Sequence, residues 1–182
     1  EFPGGKPGGR SLDPGLYDTN QLGAWKDKLR KSPVFGMTAM SVTEATDWGV
    51  FSKPSALPFA LLGKRFKQGL VCYGGALCGG LLEALLARGI EPMLSTPVHE
   101  LIVEDDRVAG VRAEQGGKEL LIKARKGVVL ASGGFEWNAE LAARFLGGPL
   151  THPNSPPGND GDGLRMAMSL GADLGNMTEA WW

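Results

Sequence analysis

The chain has 182 residues, 42% of them apolar, enough for a domain with a sizeable core. Its net charge of −1 gives no electrostatic case for nucleic acid or an anionic membrane as partner. No apolar run reaches the roughly 18 residues that a transmembrane helix needs, and Cys72 and Cys78 share one apolar segment without metal spacing, which suits a reducing, cytoplasmic setting. Glycine is the outlier at 28 residues, about twice its average frequency, and much of it stands at the ends of apolar segments.

Residues 1–68 read as an irregular segment. Pro3-Gly4-Gly5-Lys6-Pro7-Gly8-Gly9-Arg10 is a loop or extended arm. Thr19–Arg30 is expected to hold a short helix with Leu22, Trp25 and Leu29 on one face. Thr43–Trp48 is expected to form another, with Thr43 as N-cap. Pro54 and Pro58 are expected to prevent much regular structure nearby.

From residue 69 the pattern sharpens. Leu77, Leu81, Leu82, Leu85 and Leu86 recur at helical spacing, and Gly89 stands where a C-cap glycine belongs. Ile90–Ser95 reads as a strand. A β-meander follows, His99–Val103, Arg107–Glu114 and Glu119–Ala124, with turns at Glu104-Asp105-Asp106 and Gln115-Gly116-Gly117-Lys118. Gly127–Ala131 reads as a buried strand. Asn138 is placed as N-cap of a helix running to Leu146, and Asp162 as cap of a last helix striped by Leu164, Ala167, Met168 and Gly171. The order predicts an α/β fold: a partial Rossmann-like nucleotide-binding domain over 69–182, its chain leaving through a β-meander and returning to the parent sheet.

The run Gly127-Val128-Val129-Leu130-Ala131-Ser132-Gly133-Gly134 carries the most information. A buried strand ending in two glycines lets a backbone approach a cofactor with no side chain in the way. A tight strand-to-helix turn uses the same residues. Gly158-Asn159-Asp160-Gly161-Asp162-Gly163 then opens the last helix. Gly74, Gly75 and Ala76 begin the leucine-rich helix, where N–H groups can hold an anion or small residues can pack on a sheet. The phosphate-binding glycine fingerprint G-x-G-x-x-G does not occur in the sequence.

Residues 70–182 resemble the flavoprotein subunit family of succinate dehydrogenase and fumarate reductase, and within it the 3-ketosteroid dehydrogenase branch. The matching phrases, in order, are Gly74-Gly75-Ala76-Leu77, Thr96-Pro97-Val98-His99-Glu100-Leu101-Ile102, Val108-Ala109-Gly110-Val111, Val129 through Asn138, Ser155 through Met168, and Gly175-Asn176-Met177 through Trp182. Gly9-Arg10-Ser11-Leu12 matches more weakly.

The resemblance implies FAD as cofactor. It implies that Val98 offers backbone groups to the adenine; the alternative is a β-branched core residue. It brings Ala131, Ser132, Gly133 and Gly134 to the adenosine and pyrophosphate end, with Ser132 where the family has Thr. It brings Gly161 and Asp162 close to the flavin, with Asp160 replacing the family's Thr; the alternative is that Asp162 is only a helix cap. It places 1–68 in a cap or substrate region. The branch's catalytic tyrosines fall outside the chain, so no catalytic role passes to Tyr17 or Tyr73. His99 and His152 read as structural or surface residues.

The expected activity is removal of a hydride and a proton from adjacent carbons of a small-molecule ketone resembling a 3-ketosteroid. The alternative is a fumarate reductase or related dicarboxylate enzyme, which would need arginine clamps. No metal site, nucleic-acid partner or transmembrane segment is expected; peripheral membrane attachment is left open. Both ends read as internal to a longer chain: there is no initial Met, Glu1-Phe2 is also what a common cloning site encodes, and the chain closes on Trp181-Trp182. A truncated, non-catalytic piece of that kind is expected to form homo-oligomers through exposed sheet edges.

Overall fold

The computed structural model describes residues 13–30, 39–148 and 150–179. The Pro3–Arg10 arm, the Gly9–Leu12 match and the closing tryptophans lie outside the described residues. By contacts the chain divides into two units, Glu1–Pro92 and Met93–Trp182. The leucine-rich helix expected at the head of the second domain groups with the first unit.

In the first unit, β1 (Tyr17–Asp18) pairs antiparallel with β2 (Leu70–Val71). The strap is tightened by Thr19, a buried polar residue whose N–H and hydroxyl both donate to the Gly69 carbonyl, at 3.1 and 2.7 Å. The expected helix after it is a 3₁₀ stretch, Thr19–Lys28, broken at Gly23 (φ +54°). Asp18 caps it by accepting from the Asn20 N–H.

Helix α1 (Val42–Asp47) begins one residue before the expected cap. Ser41, not Thr43, is the N-cap. Its hydroxyl accepts from the Glu44 N–H while the Glu44 carboxylate accepts from the Ser41 N–H, a reciprocal capping box. Helix α2 (Phe59–Lys67) was not expected from the sequence. Pro58 precedes its first residue, where the missing N–H costs nothing, so the proline starts the helix rather than preventing it. Met40, Ala45, Val50 and Leu62 form the small core between α1 and α2, with Trp48 and Leu57 packed on it.

Across that core, Arg65 meets Glu44 with both arms of its guanidinium, at 2.6 and 2.8 Å, and also donates to the Ala39 carbonyl at 2.9 Å. The fork fixes two helices and a loop with one side chain. The Arg65 hydrogen bond holds the Glu44 carboxyl below its ordinary range, against the opposing effect of burial.

Helix α3 (Tyr73–Leu86) follows β2. The Tyr17 ring lies against Gly79: a Cβ there would sit 2.6 Å from ring carbon Cε1. The Tyr17 hydroxyl then donates to Glu83 one turn on, at 2.9 Å. Burial, reinforced by the Glu83 carboxylate, pushes the Tyr17 phenol up to about 12. The expected strand Ile90–Ser95 is absent. The Ile90 N–H is taken by the Leu85 carbonyl in the α3 cap, Pro92 has no donor, and Ser95 turns at φ +51°.

The second unit is built on the meander β3 (Val98–Glu104), β4 (Arg107–Gln115) and β5 (Lys118–Lys123), antiparallel in that order. Both hairpins close with two left-handed residues, Asp105-Asp106 and Gly116-Gly117, the geometry that suits strand twist. Val98 pairs with Ala113 and Glu100 with Arg112, so β3 bulges at His99. Helices α4 (Ala139–Leu146) and α5 (Asp162–Ser169) follow, and α5 packs against β3. The segment expected as a buried strand, Gly127–Ala131, has no strand partner among the described residues, and Val129 is 89% exposed.

Two expectations follow. Gly79→Ala gains about 1 kcal/mol of helix propensity but displaces the Tyr17 ring at about 1–3 kcal/mol, so it lowers the melting temperature. Gly80→Ala, with nothing within 4 Å of the added carbon, raises it.

Glu44→Gln removes the charged partner of a largely buried Arg65 and costs about 2 kcal/mol in denaturant unfolding. Because the Glu44 carboxyl is lowered in the folded state, the wild type has this stabilisation in full above the unfolded carboxylate pKa. It loses it as pH falls through the folded value, and the variant's unfolding loses that part of the acid dependence.

Candidate functional site

The two glycine-bearing phrases, about thirty residues apart in sequence, lie against each other. The Gly161 N–H donates to the Gly134 carbonyl at 3.0 Å, and the Gly163 N–H donates to the Ser132 hydroxyl oxygen at 3.2 Å. The Trp137 N–H donates to the Asn159 carbonyl at 3.1 Å, and the Asn138 amide donates to the Asp160 carbonyl at 3.0 Å. These four bonds join one phrase to the other, and all but one use backbone on both sides or a backbone acceptor.

The local chemistry explains why these residue types are needed. Gly161 is left-handed (φ +78°), and a Cβ there would meet Leu141 Cδ1 at 2.6 Å and Phe135 Cβ at 2.8 Å. Gly133 is also left-handed (φ +87°), with the Asn159 Oδ1 at 2.5 Å from where a Cβ would stand. At Gly163 the added carbon would collide with the Ser132 hydroxyl that its own N–H bonds. At Gly133 and Gly161 the left-handed backbone adds to these close approaches and calls for glycine, while at Gly163 the Ser132 hydroxyl would have to move aside.

Asn138 caps α4 as expected, accepting from the Leu141 N–H at 3.0 Å. Asp162 does not cap α5. The N-cap is Gly161, whose left-handed backbone makes no side-chain cap; Asp162 occupies the first helical position and pairs with Arg165 at 2.6 Å. A carboxylate in that first turn still complements the helix dipole.

The neighbouring acid and aromatic residues complete the contact. Glu136 accepts from the Asn159 amide at 2.7 Å. The Ser155 hydroxyl and the Asn159 amide, in that order of effect, hold the Glu136 carboxyl below its ordinary range. The Trp137 indole N–H reaches the Ser155 carbonyl and hydroxyl, both at 3.1 Å. Phe135 and Phe145 meet edge to face, with ring centroids 5.6 Å apart.

Of the expected site residues, the structure brings Ser132, Gly133, Gly134, Gly161 and Asp162 into one contiguous contact, with Ala131 leading into it. Val98 lies in the same unit, at the start of the edge strand β3 on which α5 packs. Gly74 and Gly75 lie in the other unit, on the first turn of α3, where a Cβ on Gly75 would make only ordinary contact with Val71. Glu136, Ser155 and Asn159 were not singled out by sequence reasoning. The available signal was their place inside the two matched phrases.

Residues 7–182 match the family model described as FAD binding domain. The chain therefore belongs to that family, whose cofactor is FAD. It is 38% identical over its whole length to 4-oxocyclohexanecarboxylate 2-dehydrogenase of Sinomonas cyclohexanicum, covering 31% of that protein. It is likewise 35% identical to 3-oxosteroid 1-dehydrogenase of Mycolicibacterium smegmatis, covering 35% of it.

Over 58% of its length it is 33% identical to NADH:fumarate oxidoreductase of Klebsiella pneumoniae, 12% of that protein. Among solved structures, 3-ketosteroid delta1-dehydrogenase of Sterolibacterium denitrificans, in complex with 1,4-androstadiene-3,17-dione, superposes with a TM-score of 0.84 at 33% identity. That match covers 97% of this chain and 35% of the other. The chain thus spans about a third of the length of the ring-ketone dehydrogenases it matches. The family resemblance and the mixed helix-and-sheet FAD-binding fold read from the ordered motifs are borne out. The described sheets themselves are antiparallel. No helix among the described residues is long and apolar enough to cross a membrane.

The contact between the turns is tested by Gly161→Ala. The substitution adds left-handed strain and two close apolar collisions, about 2–4 kcal/mol together. In hydrogen exchange it deprotects the α4 amides, which pack on the same spot, before those of the meander.

Proposed function

We propose that this chain is the part of an FAD-dependent dehydrogenase that holds the adenosine and pyrophosphate side of its dinucleotide. The enzyme removes a hydride and a proton from adjacent carbons of a ring ketone of the 3-ketosteroid type. The observation that carries the substrate reading is the match, along this chain's whole length, to about a third of each of two ring-ketone dehydrogenases. When bound, FAD supplies the hydride acceptor.

The chain's own residues supply binding. Ala131–Gly134 is exposed, bears no side chain larger than a hydroxymethyl group, and its N–H groups meet no acceptor among the described residues. A dinucleotide can approach such an edge closely and be held by its amides. Val98, on an edge strand, is assigned to the adenine through backbone N–H and C=O. Gly161 and Asp162 are assigned to the flavin side, and Gly74 and Gly75 to an anion at the start of α3. Residues 1–68 are assigned to the cap or substrate region and 69–182 to the FAD-binding domain.

The tyrosines of this chain are not assigned as base or acid. The Tyr17 phenol is committed to Glu83, and burial pushes the Tyr73 phenol up. A cytoplasmic setting agrees with the two cysteines, which form no disulfide.

The dicarboxylate alternative needs guanidinium groups at liberty to clamp carboxylates. Arg65, Arg112, Arg144 and Arg165 each already face a carboxylate of this chain, but the preference for the ketone rests on the matches to ring-ketone dehydrogenases along this chain's whole length.

Titrating the chain with FAD, followed by flavin fluorescence and calorimetry, is expected to give saturable binding in the micromolar range. Heat that never saturates would overturn the assignment of the dinucleotide's adenosine and pyrophosphate side to this segment alone. Steady-state assay of the full-length enzyme carrying this segment is expected to show turnover of a 3-ketosteroid with a dye acceptor and none of fumarate. The reverse pattern would replace the substrate reading.

A further inference from the structure

The backbone of Gly133 and Gly134 is braced from one side by a pair of side chains that no site assignment includes. Asn159 touches the first turn in three ways. Its carbonyl accepts from the Trp137 N–H at 3.1 Å, its amide nitrogen donates to the Glu136 Oε1 at 2.7 Å, and its Oδ1 stands 2.5 Å from where a Gly133 Cβ would be. The other Glu136 oxygen, Oε2, stands against Gly134, where a Cβ would strike it. The two glycines, the carboxylate and the amide therefore form one packed layer under the edge.

We infer that Asn159 and Glu136 are positioning residues for the cofactor: their amide-to-carboxylate bond sets where the Ala131–Gly134 backbone lies, and hence how well it meets the dinucleotide. This rests on the FAD reading above. The bond is charge-assisted and half-buried, which makes it stiffer than a neutral pair. The Ser155 hydroxyl also favours the ionised form of Glu136. The Trp137 indole, bonded to Ser155, closes the same layer. Gly133 and Gly134 allow the brace to come this close. A larger residue at 133 would push Asn159 away, and one at 134 would push the Glu136 carboxylate out of the layer.

The pair can be reversed without changing its shape, and this supplies the test. Asn159→Asp sets two carboxylates against each other, whereas Glu136→Gln removes the charge. The double variant Glu136→Gln/Asn159→Asp restores an amide donor facing a carboxylate, with the roles exchanged. Three quantities are read for all four proteins: the FAD dissociation constant, the melting temperature without FAD, and the amide resonances of Gly133 and Gly134 in a ¹⁵N-labelled sample.

Asn159→Asp is expected to weaken FAD about tenfold or more and Glu136→Gln by less, with the double variant recovering most of the loss. The two glycine resonances are expected to move in each single variant and return in the double. Equal losses of melting temperature with unchanged FAD affinity would overturn the proposal and leave a purely structural clasp. Absence of recovery in the double variant would overturn it as well. If the wild-type chain takes up no FAD, the cofactor assignment of this edge falls first. The glycine resonances still decide the brace: unmoved resonances in the single variants overturn it on their own.

Discussion

The second unit depends on how closely two backbone turns can approach. The N–H of Gly161 meets the carbonyl of Gly134 where left-handed glycines stand at 133 and 161, positions at which a Cβ would run into Asn159 and Phe135 of the opposing phrase. Each phrase therefore favours glycine on the other. Once the turns meet, α4 and α5 start from fixed points: Asn138 is held by the Asp160 carbonyl, and Gly161 begins α5 where Leu141 and Phe135 already press on it. Steric exclusion sets the geometry and hydrogen bonds then hold it.

The first unit is organised by a different force. The cluster between α1 and α2 is small, four buried residues with two partly buried neighbours among the described residues, so a forked ion pair carries more of the specification there than it would in a larger domain. Glu44 is shared between the cap of α1 and the guanidinium from α2. Moving either helix breaks bonds at both. The pair is partly buried, 15% and 27% exposed at its side chains, so it keeps more of its strength than the open pairs on the meander.

The candidate site owes little to titratable chemistry. The exposed edge at Ala131–Gly134 offers backbone and small side chains, and the ionisable groups nearby are engaged in bracing it. Such a surface is suited to holding a cofactor rather than to moving protons. This agrees with a family in which the dinucleotide supplies the redox step and protein groups orient it.

Much was legible in the residues alone. Alternation and paired turn residues located the meander to within a residue or two, because hairpin register is a local property. Leucine spacing located α3, and Asn138 marked its own helix. The ordered phrases gave the family, because they record contacts the whole fold must satisfy.

What the sequence could not decide was everything requiring a partner from elsewhere. Val128–Leu130 and Ile90–Ser95 are apolar enough for strands, but a strand exists only beside another, and no described strand pairs with them. Ser41 with Glu44 three residues on is a local capping-box pattern that outranks Thr43 by itself; only the grip of Arg65 on Glu44, twenty-one residues away, belongs to the fold. The bond from Asn159 to Glu136 joins residues twenty-three apart. Local sequence fixes which conformations a segment can adopt. Only the packed structure determines which distant groups are close enough to select one of them.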